Sequence, residues 1–106
     1  MNNDNLFSVN STVPMDQILS GAAKFKAIGN PTRLEILTVV AKYNNKVCGG
    51  DFEKLVKIKQ PTISHHINVL MKAGLIKNQK EGTRVFYSIN PEIILNLMKD
   101  LKNLIA

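Results

Sequence analysis

Two stretches of this 106-residue chain carry side chains whose types and spacing could do chemistry. The first is Gln60-Pro61-Thr62-Ile63-Ser64-His65-His66-Ile67-Asn68-Val69-Leu70. At about 100° per residue, Ile63, Ile67 and Leu70 fall on one helical face. Pro61, His65 and Lys72 lie directly opposite, flanked by Thr62, Ser64 and Asn68. That second face is short, polar and hydrogen-bonding, which suits base edges and phosphates in a DNA major groove. Gln60 and Thr62 sit where a helix N-terminus turns backbone N–H groups outward, toward phosphate. His66 lies about 70° from the apolar centre, so it is expected to edge the core while His65 reaches a partner. An exposed polar face can also be merely solvated, and the neighbouring residues decide between the two readings.

The second stretch is Cys48-Gly49-Gly50-Asp51, which holds the chain's one cysteine. A single Cys excludes an intramolecular disulfide, and one Cys beside two His cannot supply a four-ligand zinc site. Cys48 is a candidate redox- or electrophile-sensitive thiol ahead of the polar helix, with Lys46 as a cation near it in sequence. The plainer reading is a small, partly buried residue. Catalysis finds no support: there is no phosphate-binding glycine loop, no paired carboxylates and no nucleophile–base–orienter set. Ser64 and His65 point in different directions on one helix. The chain is not expected to be an enzyme, and no cofactor is expected.

Charge decides what the polar helix meets. The formal net charge is +6. From Lys54 to Arg84 there are seven Lys or Arg residues against Glu81 alone, while Met1 to Ala23 holds only Asp4 and Asp16. Phosphate neutralisation releases condensed counterions, so this excess favours a polyanionic partner facing the middle of the chain. No apolar run approaches the roughly 18 residues that span a bilayer. The first ten residues have no Lys or Arg and no apolar h-region, so no signal peptide is expected. Secreted mini-protein, membrane protein and zinc finger are excluded, and the expected location is the cytoplasm.

The elements that must position these residues follow from pattern and punctuation. The length allows one small domain with a thin core. Residues 1–13 are polar and aperiodic, a flexible arm; residues 14–106 are the folded domain. Pro14 starts a first helix with Met15, Ile18, Leu19, Ala22 and Ala23 at helical spacing. Asn30-Pro31 caps a second helix running to about Lys42, with Leu34, Leu37, Val40 and Ala41 inward. Asn44-Asn45 is turn chemistry. Asp51 is expected to cap a short third helix through Val56, anchored by Phe52 and Leu55. The polar helix then starts near Pro61 and ends at Gly74, a good residue for the left-handed position after a helix.

Two short helices joined by a tight turn make a helix-turn-helix. Leu75–Lys80 and Arg84–Ile89 read as strands around Glu81-Gly82-Thr83, the second rich in β-branched and aromatic residues. A hairpin in that place is a wing. Lys77, Lys80 and Arg84 on it either discourage edge aggregation or track phosphates, and the two roles are compatible. Phe86 and Tyr87 are expected to pack the hairpin. Asn90-Pro91 begins a last helix with an apolar stripe of Ile93, Ile94, Leu97, Met98, Leu101, Leu104 and Ile105. The fold class is mainly α with a small β-hairpin, a winged helix-turn-helix. A thin core has trouble covering two amphipathic terminal helices, which either pack only on that core or meet a second copy, and the second is favoured. They are therefore expected to pair with a second copy through Ile18, Leu19, Ala22, Ile94, Leu97, Met98 and Leu101.

At this point the chain resembles the ArsR-type family of winged-helix regulators, named for arsenical-resistance repressors. The resemblance rests on Phe25-Lys26-Ala27-Ile28-Gly29-Asn30-Pro31-Thr32-Arg33-Leu34-Glu35-Ile36-Leu37, on Gln60 to Leu70, on Ala73-Gly74-Leu75-Ile76 and on Gly82-Thr83-Arg84-Val85-Phe86-Tyr87. It covers roughly residues 15 to 105. It implies a homodimeric repressor that binds double-stranded DNA at an inverted-repeat operator and is released by an effector. Family-like DNA contacts map onto Gln60, Thr62, Ser64 and His65, with Lys80 and Arg84 in the wing. Lys59 departs from the small capping residue common in relatives; it cannot accept the orphan N–H bonds but can contact phosphate. The alternative is a winged-helix module that binds an acidic protein and has only non-specific DNA affinity.

The effector is not named by the sequence. Relatives that sense thiophilic metals often carry Cys-x-Cys-Asp, where this chain has Cys48-Gly49-Gly50-Asp51 and lacks one thiolate. Relatives that sense zinc-like ions use Asp-x-His and a later His-x-x-Glu on the last helix. Here Asn90-Pro91-Glu92 replaces the first, and no histidine follows His66. Neither usual metal site is expected.

Overall fold

A computed structural model describes residues 13–43, 46–56 and 58–106. Most of the expected arm, the Asn44-Asn45 turn and Lys57 lie outside the described residues. The element order is α1 (Met15–Ile28), α2 (Pro31–Lys42), β1 (Val47–Cys48), α3 (Gly49–Leu55), α4 (Gln60–Lys72), β2 (Ile76–Glu81), β3 (Arg84–Ile89) and α5 (Pro91–Asn103). No helix among the described residues is long and apolar enough to cross a membrane.

Local chemistry sets the boundaries. Asn30 Oδ1 accepts from Arg33 N at 3.1 Å and Pro31 occupies the first turn, so α2 starts where the sequence predicts. Its buried arc differs from the expected one. Ile36, Leu37 and Val40 are buried, whereas Leu34 is 51% exposed and Ala41 is also exposed. Those two lie about 100–120° round the helix from Val40, on the side where Thr38 Oγ1 donates to the Leu34 carbonyl.

The start of α3 is also revised. Cys48, not Asp51, holds the N-cap position, and Asp51 sits three residues in, where its carboxylate reaches back to Cys48 N at 3.1 Å. That reach is one half of a capping box. Phe52 and Val56, four residues apart, are buried, whereas Leu55, at the edge of that face, is exposed.

At its C-terminus α4 closes in a full Schellman motif. Leu75 N donates to Leu70 O and Gly74 N to Met71 O, with Gly74 at φ 75°. This cap takes Leu75 out of the strand, so β2 runs from Ile76, and Glu81 pairs with Arg84 across a two-residue Gly82-Thr83 loop. Gly82, at φ 64°, supplies the backbone that such a tight hairpin needs.

Three strands, rather than two, form the antiparallel sheet, in the order β1-β3-β2. Two residues of β1 pair with the wing, Val47 opposite Tyr87 and Cys48 opposite Phe86. The core is centred on Ile36, Val40, Phe52, Ile63, Leu70 and Leu75. The Phe52 ring meets Tyr87 edge-on at 5.7 Å, so the wing's second strand is bolted to α3. Around this core the molecule is elongated, 57 × 23 × 21 Å.

Candidate nucleic-acid interface

The expected apolar and polar faces of α4 are both present. Ile63, Ile67 and Leu70 are buried, and Thr62, Ser64 and His65 are exposed. Gln60 opens the helix, but its side chain lies outside the described residues. Lys59 is exposed at the N-cap and makes no side-chain cap bond, as a side chain with donors only must. The N-terminal half of α4 thus offers hydroxyls, an imidazole and a cation to anything that approaches it.

The wing residues do not act as one patch. Lys77, Lys80 and Arg84 are all exposed, but strand alternation and register separate them. Lys80 shares a face with Ile76, Val85, Tyr87 and Ile89. Lys77 and Arg84 share the other, with Gln79 and Phe86. Arg84 also helps the wing's neighbour: it is among the groups that lower the Asp51 pKa.

His66 edges the core, as its position on the helix predicts, and its partner is Arg33. Arg33 Nε donates to Ala27 O at 2.8 Å, Nη2 to Lys26 O at 3.4 Å, and Nη1 lies 3.1 Å from His66 Nδ1. Guanidinium has no acceptor, so Nδ1 accepts and the His66 ring is neutral with its proton on Nε2. Burial, then the charge of Arg33, then that of His65 holds its pKa below the ordinary 6.5.

One guanidinium thereby ties the end of α1, the start of α2 and the back of α4. Sequence reading gave Arg33 no role of its own. A faint signal was present: a cation at the third position of a helix gains nothing from the macrodipole there.

Cys48 is half-buried, and its S–H donates to Asp51 Oδ2 at 3.2 Å. The N–H of Cys48 and then this S–H hold the Asp51 pKa below the ordinary 3.8, against the effect of burial, with Lys54 and Arg84 assisting. The thiol is engaged in ordering the turn into α3. Among the described residues no three His, Cys, Asp or Glu side chains gather as a metal-ligand group.

The terminal helices carry the residues expected to pair two copies. Ile18, Leu19, Ala22, Met98 and Leu101 are exposed and Ile94 is half-buried. Leu97 is different: at 5% exposure it belongs to the chain's own core, because the N-terminal half of α5 packs inward while its C-terminal half projects. Met98, Leu101, Leu104 and Ile105 carry the exposed part of the stripe. Between α1 and α5 runs a groove of about 560 Å³ lined in part by Ile18, Ala22, Phe25, Leu101 and Leu104.

Comparisons with known proteins agree on what carries such a surface. The family model described as "Bacterial regulatory protein, arsR family" matches residues 30–78. An uncharacterized HTH-type transcriptional regulator of Methanocaldococcus jannaschii is 44% identical over 85 residues, covering 80% of this chain and 94% of that protein. The transcriptional repressor SdpR of Bacillus subtilis is 33% identical over 81 residues, covering 76% of this chain and 88% of that protein. The fold matches the solution structure of a homodimeric winged helix-turn-helix DNA-binding domain from Mycobacterium bovis. That match has a TM-score of 0.70 at 23% identity and covers 86% of this chain and 82% of the other.

Proposed function

Because the chain belongs to the ArsR family of DNA-binding transcriptional regulators, we propose that it is a homodimeric repressor that occupies an inverted-repeat operator. The family is one of regulators, not enzymes. The observation that carries this reading is the division of α4 into a buried face and an exposed face of Thr62, Ser64 and His65, beside a cationic wing. In this reading α4 enters the major groove and reads base edges. Lys59, Lys77, Lys80 and Arg84 hold phosphates, which position the protein without reading sequence.

The pairing of copies is supported by the exposed apolar residues of α1 and α5 and by the homodimeric neighbour. Two-fold pairing places the half-sites about one helical turn, or ~34 Å, apart. This reading does not call on the two usual metal sites of the family, since Cys48 lacks a second thiol beside it in sequence and α5 lacks histidine.

The test is selection of bound fragments from the source genome by purified protein, at low and at near-physiological salt. A palindromic motif that survives the higher salt is the expected result. Random fragments that vanish as salt rises would overturn the repressor reading and point to a protein partner.

A further inference from the structure

A second surface adjoins the reading face along the side of α4 that meets α1. The last turns of α1 and the stretch of α4 from His65 to its C-cap Ala73 flank an open cleft of about 450 Å³. Its cationic and polar lining comes from Lys26, Arg33, His65 and Lys72, and no acidic side chain lines it. Ala23, Ala27, Val69 and Ala73 supply the remainder, small apolar groups between the two helices.

The spacing explains why these residues meet. Ala23, Lys26 and Ala27 share one face of α1, at intervals of three and four. His65, Val69, Lys72 and Ala73 share one face of α4 in the same way. Arg33 closes the inner end, its guanidinium fixed by the Lys26 and Ala27 carbonyls and by His66. Three of its five N–H groups are spent on these acceptors, so Arg33 lends the cleft a fixed positive charge, and the exposed Lys26 and Lys72 ammonium groups are left to meet a carboxylate. Two lysines with no counter-carboxylate and an apolar floor together suit an anion that has a hydrophobic body.

We propose that this cleft is a binding site for a small amphipathic organic anion, of the aromatic or aliphatic monocarboxylate class. A bare phosphate would leave the alanine and valine floor unused, which is why DNA backbone is the weaker occupant. The regulatory consequence rests on the operator reading above. The cleft spans α1, which pairs the copies, and α4, which reads DNA, and it shares His65 with the reading face. An occupant therefore competes with DNA for one side chain and wedges the two helices, so anion and operator binding oppose each other reciprocally.

The test titrates isotope-labelled full-length protein with 2-naphthoate, with uncharged 2-naphthamide and with inorganic phosphate, following backbone amide shifts. The expected result is saturable shifts at Lys26, Ala27, Val69 and Ala73, with 2-naphthoate at least about tenfold tighter than 2-naphthamide. The exposed pair Lys26→Gln and Lys72→Gln together brings 2-naphthoate down to the amide's affinity while the spectrum stays that of a folded protein.

Equal binding of the amide overturns the proposal, as do shifts that map to the groove between α1 and α5. Phosphate binding as tightly as 2-naphthoate at the same amides assigns the cleft to DNA backbone instead, and also overturns it. Saturating 2-naphthoate at matched ionic strength should then weaken operator affinity by about fivefold or more, within the usual range of coupling between sites. Unchanged operator affinity would overturn the regulatory half. Anion binding here by a protein that selects no operator would confirm the site while sinking the operator reading.

Discussion

Arg33 Nη1 lies 3.1 Å from His66 Nδ1 and joins the start of α2 to the recognition helix α4 across 33 residues of sequence. The bond requires a neutral imidazole. Protonation would set two cations against each other and release the back of α4 from α1 and α2.

A pH dependence follows with a definite sign. The His66 pKa is lowered in the folded protein from the ordinary 6.5, so the unfolded chain takes up the proton first as acid is added. Stability is full above about pH 6.5 and declines as pH falls toward the lowered value. Thermal unfolding followed between pH 8 and pH 5 should show that decline. The variant His66→Phe should flatten this part of the profile. It should also cost about 1 kcal/mol at pH 8, because Nη1 loses its acceptor.

The wing makes a separate prediction about salt. Lys77 and Arg84 lie on one face of the hairpin and Lys80 on the other. If the proposed phosphate contacts are made, Lys77→Ala and Arg84→Ala should act alike. Each should flatten the dependence of operator affinity on salt by about one unit per phosphate contact. Lys80→Ala, on the hairpin's other face, should flatten it likewise, since Lys80 is among the proposed phosphate contacts. Ser64→Ala and His65→Ala should instead cost about 1–3 kcal/mol on the operator and leave affinity for random DNA nearly unchanged. Binding measured across a salt series on both DNAs separates the classes.

Pairing of copies is tested on α5 with the core residue left alone. Met98→Glu combined with Leu101→Glu should give a folded monomer by light scattering, with loss of tight operator binding. Leu97→Ala should behave as a core truncation, lowering stability by about 2–5 kcal/mol through lost burial and a cavity. A Met98, Leu101 double variant that remains dimeric would place the interface elsewhere.

Around Cys48 the prediction concerns the turn into α3. Asp51→Ala removes the acceptor for both the N–H and the S–H of Cys48 and should cost about 0.5–2 kcal/mol, as loss of a helix cap does. Cys48→Ala removes only the S–H bond and should cost less. The Asp51 pKa is lowered from the ordinary 3.8, so its contribution holds above that pH and disappears as pH falls through the lowered value. Chemical unfolding at pH 7 and over an acid series below pH 3.8 should show the difference between wild type and Asp51→Ala shrinking as the pH falls.

Much of this architecture was legible in the sequence because its signals are local. Asn30-Pro31 marks a helix start with a hydrogen bond that a reader can anticipate, and Gly74 marks a stop with a backbone angle that few other residues adopt. The two faces of α4 follow from residue spacing alone. The features that escaped depend on distant partners. Two residues of β1 are too short for any alternation to show, and only the presence of β3 makes them a strand. Leu34 and Leu55 read as inward because they are apolar, but which arc of a short helix is buried depends on the neighbours it meets. Arg33 is hardest of all, since its three acceptors come from two other helices.

That two-residue strand has a consequence for how the molecule divides its labour. By pairing Val47 and Cys48 with the wing, β1 closes a ring of contacts through α3, α4 and the hairpin, with Phe52 against Tyr87 at its centre. These contacts join α3, α4 and the hairpin into one packed head. Under the proposed dimer, the distance between two such heads is then measured by the projecting ends of α1 and α5 alone. Under the same reading, vocabulary and ruler are separate parts of the chain: changes on α4 would alter which bases are chosen, and changes on the terminal helices would alter how far apart they stand.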